Sequence, residues 1–211
     1  MTNFIPIFPL GIVVFPGEQV NLHIFEPRYK QLIQDCYGEN RGFGIPAVVS
    51  DKMQEHGTLV AITEIKEVYA DGKMDIRVKG QQVFRLLEVI KTIPDKLYAG
   101  AIVNYLPNDK RVLRNQMPLL LEQVYQLHRL LKIEKTFKPA EDELVSYDIA
   151  HHAGLTTEQE LELLTLPRED QRQEYLKRHL KALINVISEM ENLKERVKLN
   201  GHFRELKSFG L

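Results

Sequence analysis

Cysteine occurs once in the 211 residues, at Cys36. A lone thiol excludes an intrachain disulfide and a CxxC metal clamp, and such sparse use points to a reducing, cytoplasmic compartment. Charge of one sign is also missing. Lys and Arg number 28 against 29 Asp and Glu, a formal net charge of −1 at pH 7 with a pI of about 6.7. A general nucleic-acid binder needs a cationic surplus to neutralise phosphates, so that class is disfavoured. No run is long and apolar enough to span a bilayer. Phe4 to Phe15 comes nearest, but it has no basic lead-in, no small-x-small site after it, and contains Pro6 and Pro9. It reads as extended chain rather than signal peptide or helix.

Catalytic motifs are absent too. A nucleotide-binding P-loop needs Gly-x-x-x-x-Gly-Lys-Ser/Thr so that backbone N–H groups wrap the phosphates. In this chain the Gly-Lys pair is Gly72-Lys73, followed by Met74, with Glu67 where the first glycine should stand. The serines are Ser50, Ser146, Ser188 and Ser208, and none lies in a Gly-x-Ser-x-Gly or Ser-x-x-Lys pattern. Asp148 with either His151 or His152 has the spacing of a helical metal pair, but no third ligand is evident. Adjacent helical residues point about 100° apart. A histidine pair near the Gly154 helix end, favoured by the dipole, is the plainer reading. No catalytic residue, metal or cofactor is expected.

What is present is an ordinary globular composition, 44% hydrophobic and 27% charged, long enough for one large domain or two lobes. The expected class is α+β: a β-rich pseudo-barrel lobe over 1–106, then a helical bundle lobe over 107–211 with one long helix. In the first lobe, Ile12–Phe15 reads as a strand stopped by a Pro16-Gly17 turn. Further strands are expected over Phe43–Val49, Leu59–Tyr69, Met74–Val78, Val83–Ile90 and Tyr98–Leu106. Asp71-Gly72 reads as a type I′ hairpin turn, and Gly80 as a break. One helix starts at Pro27 and shows Tyr29, Leu32, Ile33 and Cys36 at helical spacing before Gly38.

In the second lobe Leu113–Ile133 is helical, with Pro118 a kink or the true start. A break follows at Lys135–Pro139, then a helix opened by Glu141-Asp142-Glu143 and closed at Gly154. Thr156 with Gln159, or Thr157 with Glu160, caps a short helix ending near Leu166-Pro167. A long helix follows from Pro167 to about Leu199, ended by Asn200-Gly201. The tail His202–Leu211 carries apolar residues that would pack back or dock to another subunit. Residues 141–174 hold ten acids against Arg168 and Arg172, and 175–211 hold eight basic against four acidic residues. Solvated helix faces are the usual meaning; a complementary self-association surface is the other.

Two motifs carry a family resemblance. Phe8-Pro9-Leu10-Gly11-Ile12-Val13-Val14-Phe15-Pro16-Gly17, then Leu22-His23-Ile24-Phe25-Glu26-Pro27-Arg28-Tyr29, resemble the start of the LON domain. This is the substrate-recognition domain of Lon ATP-dependent proteases, the non-peptidase part of the peptidase S16 family. Phe43-Gly44-Ile45, Gly57–Ile62, Asp71-Gly72 and Val78–Leu86 follow in LON order, although Gln82-Val83-Phe84 replaces the family's Arg-Phe pair. The resemblance implies a PUA-like pseudo-barrel followed by a helical bundle. It also implies recognition of unfolded or apolar polypeptide for a protease, without the ATPase and peptidase parts. It makes Pro9, Gly11, Gly17, Glu26, Pro27, Arg28, Tyr29, Asp71, Gly72 and Gly80 structural. The expected polypeptide-binding surface is the cleft between the lobes, or an open sheet edge, with Phe8, Phe15, Pro16 and Phe25 near its rim. The rival readings are a PUA-like RNA-associated protein, resting on fold analogy, and last a hydrolase. A basic stripe on the barrel would favour the first, and loss of proteolysis on changing one serine the second.

Overall fold

Two strands of 17 residues carry the N-terminal half. The computed structural model describes residues 2–109, 116–134 and 144–207, with side chains for 3–109, 116–134 and 144–197. The order begins β1 (Thr2–Pro6), β2 (Gln19–Ile24), α1 (Pro27–Gly38) and β3 (Phe43–Val49). The long strands β4 (Lys52–Val68) and β5 (Met74–Ile90) and then β6 (Gly100–Tyr105) complete an antiparallel sheet in the order β1-β6-β5-β4-β3. β2 lies beside the first half of β5, with Leu22 opposite Ile76. The segment after β1 then bridges back to β3 in parallel, through Ile7 to Gly44 and Leu10 to Ala47. The Phe8 N–H donates to the Gly44 carbonyl at 2.8 Å and the Val48 N–H to the Leu10 carbonyl at 2.8 Å. These bonds join the two ends of the sheet and make the pseudo-barrel.

α1 forms where its spacing places it. Pro27 occupies the first turn, where a missing N–H costs nothing. Tyr29, Leu32, Ile33 and Cys36 all face inward. They meet Phe8, Ile24, Phe43, Ile76 and Val78 in one apolar cluster. Each such side chain contributes about 1.5–3 kcal/mol over its exposed state.

Several local expectations are corrected. Ile12–Phe15 is not a strand; it is irregular chain held by the Thr58 hydroxyl on the Val14 carbonyl. The Pro16-Gly17 turn is real, with Gly17 at φ +94 and the Glu18 N–H bonded to the Phe15 carbonyl. Gly80 does not end a strand; β5 continues through it, with a register shift against β4 between Gly80 and Gln82. The type I′ turn sits at Ser50-Asp51, both at positive φ, joining β3 to β4. At Asp71-Gly72 only Gly72 takes positive φ, in a longer loop closed by the Tyr69 N–H on the Lys73 carbonyl.

Past the barrel come α2 (Met117–Leu131), a single turn α3 (Ser146–Ile149) running into a 3-10 turn Ala150–His152, α4 (Thr157–Thr165) and α5 (Glu169–Lys207). Pro118 marks the start of α2 and does not kink it. Thr156 caps α4 with Gln159 in a reciprocal box. Asn200-Gly201 does not end α5, which continues six residues further, to Lys207; glycine inside a helix costs only about 1 kcal/mol. The helix expected to close at Gly154 is short, although Gly154 does end the 3-10 turn at φ +70. The expected break at 135–139, the acidic start at 141–143, Ser208 and the end of the tail lie outside the described residues. No helix among the described residues is long and apolar enough to cross a membrane.

Candidate functional site

Phe15 lies where barrel and helices meet, fully buried. Its ring stacks on Tyr147 at 5.0 Å and tilts against His151 at 4.9 Å. Val13, Ala47 and Val83 of the barrel share one apolar cluster with Leu120, Val124, Leu163 and Leu176 of the helices. The deep part of the cleft is therefore filled by the protein's own side chains.

His151 ties the same junction electrostatically. Its Nδ1 meets Glu160 of α4 at 2.6 Å, and its Nε2 meets Glu18, before β2, at 3.2 Å. Burial works against a charge on this ring. Hydrogen bonds to Glu160 and Glu18 outweigh it and lift the pKa to about 9. Glu18 also accepts the Phe15 N–H at 2.8 Å. The helix-dipole reading of His151 thus gives way to a two-carboxylate clamp.

Beneath Tyr147 lies a second polar lock. Arg172 and Glu169 pair at 3.0 Å with side chains 2% and 0% exposed. Arg172 stacks under the Tyr147 ring at 4.4 Å and donates to the Leu166 carbonyl at 2.8 Å and to Asn108 at 3.0 Å. Glu169 accepts from the Ser146 N–H at 2.8 Å and the Ser146 hydroxyl at 2.6 Å. A buried pair gains only when such partners satisfy its remaining donors and acceptors, and here they do. The solvated face expected from the charge pattern does not hold at Arg172. Its i,i+3 partner was visible in the chain, but not the burial.

Near the cleft a groove of about 290 Å³ opens between the β3–β4 hairpin and α4, lined by Val49, Gln54, His56, Glu158, Leu161 and Thr165 among others. A larger groove of about 800 Å³ runs along α5 past Tyr175, Arg178 and His179, and mixes both charges.

The sheet's free edge lies elsewhere. Among the described residues β2 pairs with β5 alone. At its end the His23 ring lies 6.1 Å from Phe25 and 6.1 Å from Tyr69. Asp75 joins them, 2.7 Å from His23 Nδ1 and accepting the Tyr69 hydroxyl at 2.6 Å. That bond pushes the Tyr69 phenol up to about 12, and the Tyr69 and His23 bonds hold the Asp75 carboxyl below its usual value. Phe25 is 57% exposed and Val68 62%. The outer face beyond them is charge-matched, with Arg77 on Glu64 and Arg85 on Glu55.

The four expected rim residues are not brought together. Phe8 is buried, its ring stacked 3.9 Å from Tyr29, and Phe15 is buried at the junction; both are core because apolar neighbours surround them. Pro16 is half-buried in its turn, and Phe25 alone is openly exposed. Glu26 and Arg28 pair with each other at 2.7 Å at the start of α1. Pro9 lies between the two parallel bridges at Ile7 and Leu10, and Gly11 in the irregular chain just after the second. Cys36 is fully buried, and desolvation pushes its thiol up to about 11. Among the described residues, no group of three or more His, Cys, Asp or Glu is placed to hold a metal ion.

A family model of the ATP-dependent protease La (LON) substrate-binding domain matches residues 5–204. The chain belongs to the Lon substrate-binding domain family. The Lon N-terminal domain protein from Xanthomonas campestris is similar in structure, with a TM-score of 0.64 and 27% identity over 82% of this chain and 96% of that one. The N-terminal domain of Mycobacterium avium complex Lon protease shares the fold, with a TM-score of 0.60 and 16% identity over 85% of this chain and 98% of that one. No curated protein matches in sequence. The Lon family inferred from Phe8–Gly17 and Leu22–Tyr29 is thus the family that matches. The match is to the substrate-binding part of Lon.

Proposed function

We propose that this Lon-type domain is a non-catalytic module that binds extended, unfolded polypeptide along the free edge of β2, with Phe25, His23 and Tyr69 as its apolar landing surface. One observation carries the reading: β2, paired on one side only among the described residues, ends at an exposed aromatic cluster. An added strand forms main-chain hydrogen bonds with any sequence. That suits clients that share no fold. Phe25 and His23 at the end of β2, with Tyr69 across β5 from them, supply exposed ring area next to the end of that edge at little entropic cost. The deep cleft supports binding less, because Phe15 and the helices already fill it. Ser146 supports a hydrolase no better, since its hydroxyl is buried on Glu169. A protease is the partner the family suggests for delivery of the client.

The test is binding of a carboxymethylated, permanently unfolded model protein, followed by calorimetry. Wild type is expected to bind, and Phe25→Ser with Tyr69→Ser to weaken binding about tenfold, as for an exposed hot spot, with unchanged thermal stability. No binding by wild type ends the polypeptide reading. Undiminished binding by the double variant removes the β2 edge as its site.

A further inference from the structure

α5 outruns the body it packs on. Its 39 residues span about 58 Å at about 1.5 Å per residue. Leu176, Leu180 and Ile184 are buried in the helical core, and Leu183 and Ile187 pack against it. From Glu189 to Val197 every residue is exposed. A helical stretch of that length and mixed composition is marginal in water by itself.

The exposed part is not uniformly polar. Val186, Met190, Leu193 and Val197 are 54%, 54%, 63% and 62% exposed. Their spacing is four, three, four, the alternation of a coiled-coil seam. At about 100° per residue, this stripe points roughly 100° away from the face that carries Leu180, Ile184 and Ile187. It is a second seam, turned off the body, and a partner helix could lie on it without displacing the core.

We propose that this stripe is the contact between two copies of this chain, paired as antiparallel α5 helices about a two-fold axis. The occupant follows from self-complementarity. In the antiparallel register that sets Met190 against Leu193 of the second copy, Val186 falls opposite Val197, so every stripe residue meets an apolar one. The same register brings Glu189 beside Arg196 of the second copy, twice by symmetry, at the flanking positions where charge sets pairing and direction. The far end of each helix then runs back along its partner's α5 towards the groove lined by Tyr175, Arg178 and His179. A parallel pair would instead set Glu189 against Lys194. Its two bodies would also be crowded at one end, whereas the antiparallel pair separates them.

Sedimentation of the full chain tests this. A mass of about 49 kDa, twice the 24.5 kDa of one chain, is expected at tens of micromolar. Leu193→Asp and Met190→Asp, both at exposed positions, should give 24.5 kDa, with a circular dichroism spectrum that loses at most the signal of the overhanging turns of α5. Arg196→Glu should weaken the dimer at least tenfold, and adding Glu189→Arg should restore it. A wild type that stays monomeric at 100 µM, as an order-of-magnitude ceiling for a specific contact, overturns the proposal. So does a dimer untouched by Leu193→Asp. Weakening by Lys194→Glu with no effect of Arg196→Glu overturns the antiparallel register. A monomeric wild type whose binding of unfolded protein is lost in Leu193→Asp would make the stripe a client site, which also overturns it. Phe25→Ser leaves the dimer intact, so this proposal and the β2-edge reading fail separately.

Discussion

The main-chain carbonyl of Phe15 occupies the space into which a β-carbon on residue 80 would project. Gly80 also donates its N–H to Glu18 and accepts from Gly17, both at 2.8 Å. The turn that delivers Phe15 to the helical core is thus seated directly on the backbone of β5.

Gly80→Ala is therefore expected to destabilise by about 2–4 kcal/mol, a large value for adding one methyl group, because backbone rather than a flexible side chain must move. Gly38, at the end of α1, has open space around its β-position. Gly38→Ala should change stability by less than about 1 kcal/mol, in the stabilising direction. Urea unfolding midpoints compare the two.

The His151 clamp sets a pH dependence. Its folded pKa of about 9 stands above the ordinary value of 6.5. The folded chain thus keeps a proton that the unfolded chain releases, and stability falls with rising pH between those values. The contribution is complete below about 6.5 and gone above about 9. His151→Gln should flatten the thermal midpoint across that window relative to wild type. An equal slope in both proteins would show that Glu18 and Glu160 do not hold the charge.

How much of this was legible in the sequence differs residue by residue. α1 was, because Pro27 and the spacing of Tyr29, Leu32, Ile33 and Cys36 are local signals. β2 is not among the expected strands, although Val20, Leu22 and Ile24 alternate with Gln19, Asn21 and His23; six residues are a short signal. The role of Gly80 was not, since its reason stands at Phe15, on another segment. Nor was the His151 clamp, whose Glu18 partner is 133 residues away. Phe15 and Phe25 sit in similar motifs, and only the packing of the helices separates the buried ring from the exposed one.

The Arg172–Glu169 lock predicts strong coupling. Arg172→Met should cost about 3–5 kcal/mol, because it strands a buried carboxylate. Combining it with Glu169→Gln should cost less than the sum of the two single changes, since the second removes the stranded charge. A double-mutant cycle by denaturant unfolding measures the difference, and additivity would contradict the lock.

Cys36 should be silent in the native state. Its thiol is fully buried and pushed up to about 11, so little thiolate forms at neutral pH. Labelling with a disulfide reagent at pH 7.5 is expected to follow unfolding by denaturant. Rapid labelling of the folded chain would show that α1 opens.

β1 pairs with β6, with Phe4 opposite Ile102. On a ribosome adding about 5–20 residues per second, the first strand of this sheet is made roughly 5–20 s before the last. Through that interval β1 has no β6 edge to join, and the ring that Ile7 and Leu10 complete against β3 lacks its final stave. The nascent barrel thus spends its synthesis as an open sheet with unpaired edges, and must be shielded by a chaperone or tolerate exposure until residue 105 has emerged.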